Sequence, residues 1–66
     1  MLQYTTIVKR LAQMKASSEL SGGYGSIGSE IAMAAMIYGK KPETVSRAVK
    51  QVYPQVYRKL ATGATY

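Results

Sequence analysis

The side chains of this chain that are best suited to recognition are cations. Lys40, Lys41, Arg47 and Lys50 lie within eleven consecutive residues. An ammonium group attracts a phosphate as a point charge, whereas the planar guanidinium group of arginine donates paired hydrogen bonds to a phosphate or to the O6 and N7 atoms of guanine. The chemistry that this cluster offers is the binding of a polyanion.

The overall charge agrees with that chemistry. Nine Lys and Arg residues stand against three Asp and Glu residues, which gives a formal net charge of +6 in 66 residues. Such a chain is attracted to nucleic acid or to an anionic membrane surface. The longest apolar run, residues 31–38, is too short to span a bilayer. We therefore expect nucleic acid, and no membrane, as the partner.

Catalytic chemistry finds little support in the residue types. The chain has no His and no Cys, and its three acids, Glu19, Glu30 and Glu43, are widely spaced. No paired carboxylates, nucleophile with a base, or metal-ligand set is evident. The glycines of residues 22–28 follow no strand and precede no Gly-Lys-Ser/Thr ending, so they do not indicate a phosphate loop. The sequence predicts no enzyme, cofactor, metal site or small-molecule ligand.

The cations are positioned by a helix that we predict over residues 42–52. Val45, Ala48, Val49 and Val52 recur at i, i+3, i+4 and i+7, which places them on one stripe of a helix. Pro42 suits the first turn, where its missing N–H would have no partner. Polar side chains occupy the rest of the surface and are free to bind a ligand.

A second helix is predicted over residues 29–38, immediately upstream. Its apolar stripe ends at Gly39, a residue type that commonly follows a helix in the left-handed conformation. The two helices are then joined by the short turn of residues 39–41. This spacing is typical of a helix-turn-helix.

Residues 30–51 resemble the helix-turn-helix of bacterial and phage repressors. Ala35 stands where the helices touch, Gly39 follows four residues later in the turn, and Val45 anchors the second helix; residues 44–49 are similar to recognition helices of the lac-repressor type. Lys40 departs from the pattern, because such turns usually carry an apolar residue there. The resemblance implies a sequence-specific, double-stranded DNA-binding transcriptional regulator, cytoplasmic and nucleoid-associated, from a prokaryote, phage or mobile element.

Roles for the exposed side chains follow from this resemblance. Helix 42–52 would enter the major groove with Arg47 as the main reader of bases, because its fork matches guanine, and with Ser46 and Glu43 as secondary readers. Phosphate contacts, which position the helix without reading sequence, are predicted for the neighbouring polar residues Lys40, Lys41, Thr44 and Lys50.

The remaining segments are consistent with a single all-α domain of three to four helices covering residues 1–66. A first helix is predicted over residues 2–15. Residues 17–28 hold four Ser and four Gly, which indicates a loop with at most a short turn at residues 18–20. Pro54 interrupts the helical pattern and is predicted to open a separate short helix over residues 54–61.

Self-association is expected on two grounds. A core of this size supplies only about 3 to 5 kcal/mol, and neither a disulfide nor a zinc site is available to supplement it. In addition, residues 31–38 are apolar on every side of the helix, so every side must be covered. The last helix or a second subunit could cover Met33 and Ile37; these two residues are our candidates for a homodimer contact, and both alternatives stay open.

Two other classes of function remain. Residues 19–23 resemble the double-glycine leader ending of bacteriocin precursors, although the apolar spacing before the glycines is poorly matched. Alternatively, the chain is a small basic protein-binding factor, for example a phage modulator of a host enzyme. Membrane permeabilisation would point to the first class, and binding to a protein that survives loss of Arg47 and Lys50 would point to the second.

Overall fold

A computed structural model of the chain describes residues 2–23 and 27–63 and is all-helical over that part. Three helices follow one another: α1 (Tyr4–Leu20), α2 (Gly28–Tyr38) and α3 (Pro42–Ala61). The all-α fold class predicted from the sequence is confirmed. Residues 24–26, which belong to the predicted loop 17–28, lie outside the described residues.

Helix α1 continues five residues beyond its predicted end at residue 15, so the prediction of a loop beginning at Ser17 is wrong. The helix ends at the first glycines instead: Gly22 has a φ of +85°, the N–H of Gly22 bonds to the carbonyl of Glu19, and the N–H of Gly23 bonds to that of Ser18. These two bonds form the motif that commonly closes a helix with a left-handed glycine. Ala16, directly before the serines, is completely buried, so packing of this turn outweighs the lower helix propensity of serine.

The turn between α2 and α3 has the predicted length. Gly39 adopts a φ of +64°, and the N–H of Lys40 bonds to the carbonyl of Ala35 at 2.8 Å, which closes α2 in the same way as α1. Lys41 is extended, as the residue before a proline prefers to be, and Pro42 occupies the first turn of α3.

Helix α3 is continuous through Pro54 for 20 residues, so the prediction of separate helices over residues 42–52 and 54–61 is wrong. The apolar stripe runs without a break across the proline through Val49, Tyr53, Val56 and Leu60. Pro54 itself is exposed. Because it lacks an N–H, the carbonyl of Lys50 loses its helical partner, but on the solvent side this carbonyl can bond to water.

The core is built from small side chains between α1 and α3. Ala12, Ala16 and Val45 are completely buried, and α3 packs more extensively against α1 than against α2. Alanine allows helix backbones to approach closely, which suits a core made by few residues. The other buried side chains are Val8, Leu11, Ile27, Ala34, Ala35, Val49 and Val56. This packing leaves two surfaces free: the outer side of α3 and the outer side of α2.

Candidate nucleic-acid interface

A row of cations runs along the outer side of α3. Arg47, Lys50 and Arg58 are all exposed and stand at positions i, i+3 and i+11, with Pro54 at i+7. These positions share one face of a helix. At 1.5 Å per residue the row is about 16 Å long. Glu43, in the first turn, is the one acid on α3, so the face is strongly positive.

The three candidate base readers, Glu43, Ser46 and Arg47, differ in how exposed they are. Glu43 and Arg47 are exposed and lie one helical turn apart on the outer face, so the structure brings them together. Ser46 is half-buried, next to the fully buried Val45. Ser46 therefore lies at the edge of the outer face, where its hydroxyl is less accessible than the Arg47 guanidinium.

The four candidate phosphate ligands, Lys40, Lys41, Thr44 and Lys50, are all exposed. Lys40 also contacts the fold: its Nζ lies 5.1 Å from the centroid of the Tyr4 ring. A cation over an aromatic face is attracted by the ring quadrupole. This contact joins the turn between α2 and α3 to α1 through the aromatic ring.

The Tyr4 ring, which contacts Lys40, also packs against the ring of Tyr38. The rings of Tyr4 and Tyr38 lie 5.8 Å apart, tilted by 58°, and the hydroxyl of Tyr38 donates a hydrogen bond to the carbonyl of Leu2. Tilted rings at this separation attract each other. The start of α1, the end of α2 and the turn are thereby held together, which fixes the position of α3 at its N-terminal end.

Lys9 lies across a groove from α3, a placement that the sequence did not indicate. A groove of about 210 Å³ between α1 and α3 is lined by Lys9 and Thr5 on one side and by Gln51 and Ala48 on the other, with Tyr4 at its end. The sequence suggests a solvated surface for Lys9. Only the packing of α1 on α3 brings it beside Gln51, and no spacing in the chain carries that information.

Arg58 is the second residue that the sequence analysis missed. Its i+11 relationship to Arg47 is visible in the sequence, but the relationship has meaning only if α3 is continuous. If Pro54 began another helix, Arg58 would not share a face with Arg47; in the continuous α3 it does.

A second cluster, formed by Tyr53 of α3 with Glu19 and Lys15 of α1, connects the C-terminal half of α3 to α1. The hydroxyl of Tyr53 donates a hydrogen bond to Oε2 of Glu19, and Nζ of Lys15 lies 4.9 Å from the centroid of the Tyr53 ring. The hydrogen bond to Glu19, with burial and the negative charges of Glu19 and Tyr57 as smaller causes, raises the pKa of Tyr53 to about 12. Lys15 is thus engaged within the fold and lies apart from the row on α3.

Other kinds of site find no support in the described part of the chain. Residues 2–23 and 27–63 contain no group of three or more His, Cys, Asp or Glu side chains that would hold a metal ion. Among the same residues, no helix combines the length and the apolar character that crossing a membrane requires.

Comparisons of the chain with protein-family models, with curated proteins and with solved structures found no match.

Proposed function

We propose that the protein binds double-stranded DNA in a sequence-specific manner and regulates transcription. The observation that carries the proposal is the outer face of α3, where three exposed cations form a row that begins six residues after Lys41, in a linker with two further exposed lysines. A helix of this kind fits the major groove, which is wide enough to admit one α-helix. The proposal also places the protein with the DNA, in the cytoplasm of a prokaryotic or phage-infected cell.

Reading of bases is assigned chiefly to Arg47. Its guanidinium group is exposed and can donate two parallel hydrogen bonds to O6 and N7 of guanine. Glu43, one turn earlier on the same face, is able to accept a hydrogen bond from the amino group of a cytosine. Ser46, half-buried at the edge of the face, is the third and weakest reader.

Phosphate contacts are assigned to the residues around that face. Lys40, Lys41 and Thr44 stand at the N-terminal end of α3, and Lys50 stands on its outer side. To these we add Lys9, beside Gln51 across the groove between α1 and α3, and Arg58, about three turns beyond Arg47. Contacts at both ends of α3 would fix its register in the groove, since phosphate contacts set orientation and base contacts set sequence preference.

Selection from random duplex DNA tests this proposal. The full chain is incubated with a pool of duplexes that share constant ends, and the bound molecules are amplified over several rounds and sequenced. We expect enrichment of one short motif that contains at least one invariant guanine. Binding without enrichment would limit the protein to non-specific contacts, and no retention of duplex at low salt would overturn the proposal altogether.

Loss of the main reading residue in the same experiment tests the role assigned to Arg47. A chain with Arg47→Ala should select a motif that has lost its preference at one base pair. A matched control is Lys15→Ala, which removes one cation that lies over the Tyr53 ring and away from the α3 face. The control variant should select the same motif as the unaltered chain.

A further inference from the structure

The outer side of α2 and the neighbouring part of α1 form an open apolar surface. A groove of about 480 Å³ runs between the two helices, with Leu2 and Met14 on one wall and Met33 and Ile37 on the other. Met33 is 61% exposed, Ile37 is 53% exposed, and Met36, one turn from Met33, is 81% exposed. We call these five side chains the α2 patch.

None of the residues that the structure describes covers this patch. The segment that was a candidate cover, residues 54–61, is the continuation of α3, and α3 leaves both Met33 and Ile37 more than half exposed. The sequence left open whether the last helix or a second subunit covers Met33 and Ile37. Because both residues are exposed in the folded chain, the first alternative is wrong. Contiguous apolar surfaces of several hundred Å² are often sites of contact with another molecule.

The size of the α2 patch matches what a pair of identical chains requires. Together, the five residues expose roughly 500 Å² on each copy, so their complete burial on both copies reaches the lower limit of about 1,000 Å² for a specific interface. A single small ligand would cover only the groove and would leave Met36 outside it.

Charge also favours a second copy of this chain. With a net charge of +6, two copies repel each other over most of their surface, but α2 carries no Lys or Arg and has Glu30 as its one charged residue. Arg10 and Glu30, both exposed, line the same groove. In a two-fold contact each surface meets itself, so Arg10 of one copy can face Glu30 of the other, and this happens twice.

We propose that the α2 patch is the interface of a homodimer, with apolar packing at its centre and two reciprocal pairs between Arg10 and Glu30 at its edge. Dimer formation would leave the outer face of α3 free on both copies, because that face belongs to a different side of the fold. The inference concerns self-association alone and does not depend on the proposed DNA binding.

Sedimentation equilibrium of the full chain, from low micromolar to near-millimolar concentration, tests the dimer. We expect a monomer–dimer equilibrium whose dissociation constant rises at least tenfold in Met33→Glu and in Ile37→Glu. Leu20→Glu is the matched control, because Leu20 is similarly exposed, at 42%, but lies outside the patch; it should dimerise like the unaltered chain. Circular dichroism verifies that each variant is still helical.

Two charge reversals test the reciprocal pairs without placing a charge on the apolar centre. Arg10→Glu and Glu30→Arg should each weaken self-association, since like charges then face each other at both ends of the interface. An equimolar mixture of the two variants should associate again, because every contact between unlike copies restores an opposite pair. Restoration in the mixture would distinguish contacts between chains from contacts within one chain.

Three outcomes would overturn this inference. The first is a protein that stays monomeric over the whole concentration range. The second is a dimer that Met33→Glu and Ile37→Glu leave unchanged. The third is a monomer that instead binds vesicles of anionic lipid through the same methionines, which would assign the patch to a membrane surface.

Discussion

The hydroxyl of Tyr53 donates a hydrogen bond to Oε2 of Glu19, and this bond joins the last turn of α1 to α3 one residue before Pro54. The two residues are 34 positions apart in the chain. The contact lies where a proline would otherwise favour a break, and it helps to hold both sides of Pro54 on α1. A dependence of stability on pH follows from this contact.

Stability should fall as pH rises from about 10 to about 12. The folded state holds the Tyr53 proton up to a pKa of about 12, whereas the unfolded chain releases it near the ordinary value of 10.0. Between these values the folded state binds more protons than the unfolded state, so raising the pH favours unfolding. The stabilisation that the folded state gains from the raised pKa of Tyr53 is complete below pH 10 and is lost as the pH rises through about 12.

Urea unfolding at a series of alkaline pH values measures this loss. Glu19→Gln removes the carboxylate that raises the pKa of Tyr53, and Tyr53→Phe removes the titrating group; both variants should show a weaker decline than the unaltered chain. An identical decline in all three proteins would mean that the hydrogen bond does not set the alkaline limit.

Replacing the proline in α3 should stabilise the protein. Pro54→Ala restores the N–H that can bond to the carbonyl of Lys50, and alanine favours a helix interior over proline by up to about 3 kcal/mol. We expect a higher melting temperature and a larger free energy of unfolding, with no change in DNA affinity. If Pro54→Ala leaves stability unchanged or lowers it, α3 is not one continuous helix in solution.

Salt dependence should reveal which cations contact phosphate. Each neutralised phosphate contributes about 0.9 to the slope of log affinity against log salt concentration. Lys50→Ala, Lys9→Ala and Arg58→Ala should each flatten that slope by roughly this amount, measured by fluorescence anisotropy on one duplex. Lys15→Ala, whose ammonium group lies over the Tyr53 ring, should leave it unchanged.

The salt series also separates the parts of the proposal. If only Lys50→Ala flattens the slope, the contacts assigned to Lys9 and Arg58 are wrong and the interface is confined to the N-terminal half of α3. An affinity that does not vary with salt for any of these proteins would exclude phosphate binding by this surface.

Local signals in the sequence were sufficient for one part of the fold. The end of α2 and the start of α3 were predicted because Gly39 and Pro42 mark helix ends through their own backbone geometry. The same reasoning failed at Pro54 and at Ser17, where packing against another helix outweighs a local preference. Backbone propensity alone contains no information about the contact between Tyr53 and Glu19.

In the candidate site, too, the sequence predicted what depends on local pattern but not what depends on packing between helices. Periodicity along α3 placed Glu43, Arg47 and Lys50 correctly on an exposed surface. The contact between Lys40 and the Tyr4 ring, and the position of Lys9 beside Gln51, arise from how α1 packs on the rest of the chain. Such contacts join residues far apart in sequence, and no spacing rule reports them.

The most direct measurement of the central claim compares Arg47 variants on two duplexes, the motif obtained by selection and a scrambled duplex of equal length. Arg47→Ala should weaken binding to the selected duplex by about 1 to 3 kcal/mol and should affect the scrambled duplex much less. Arg47→Lys should restore affinity for the scrambled duplex more fully than for the selected one, because an ammonium group keeps the charge but loses the paired hydrogen bonds. Equal weakening of both duplexes by Arg47→Ala would contradict base reading by Arg47 and leave it as a phosphate contact.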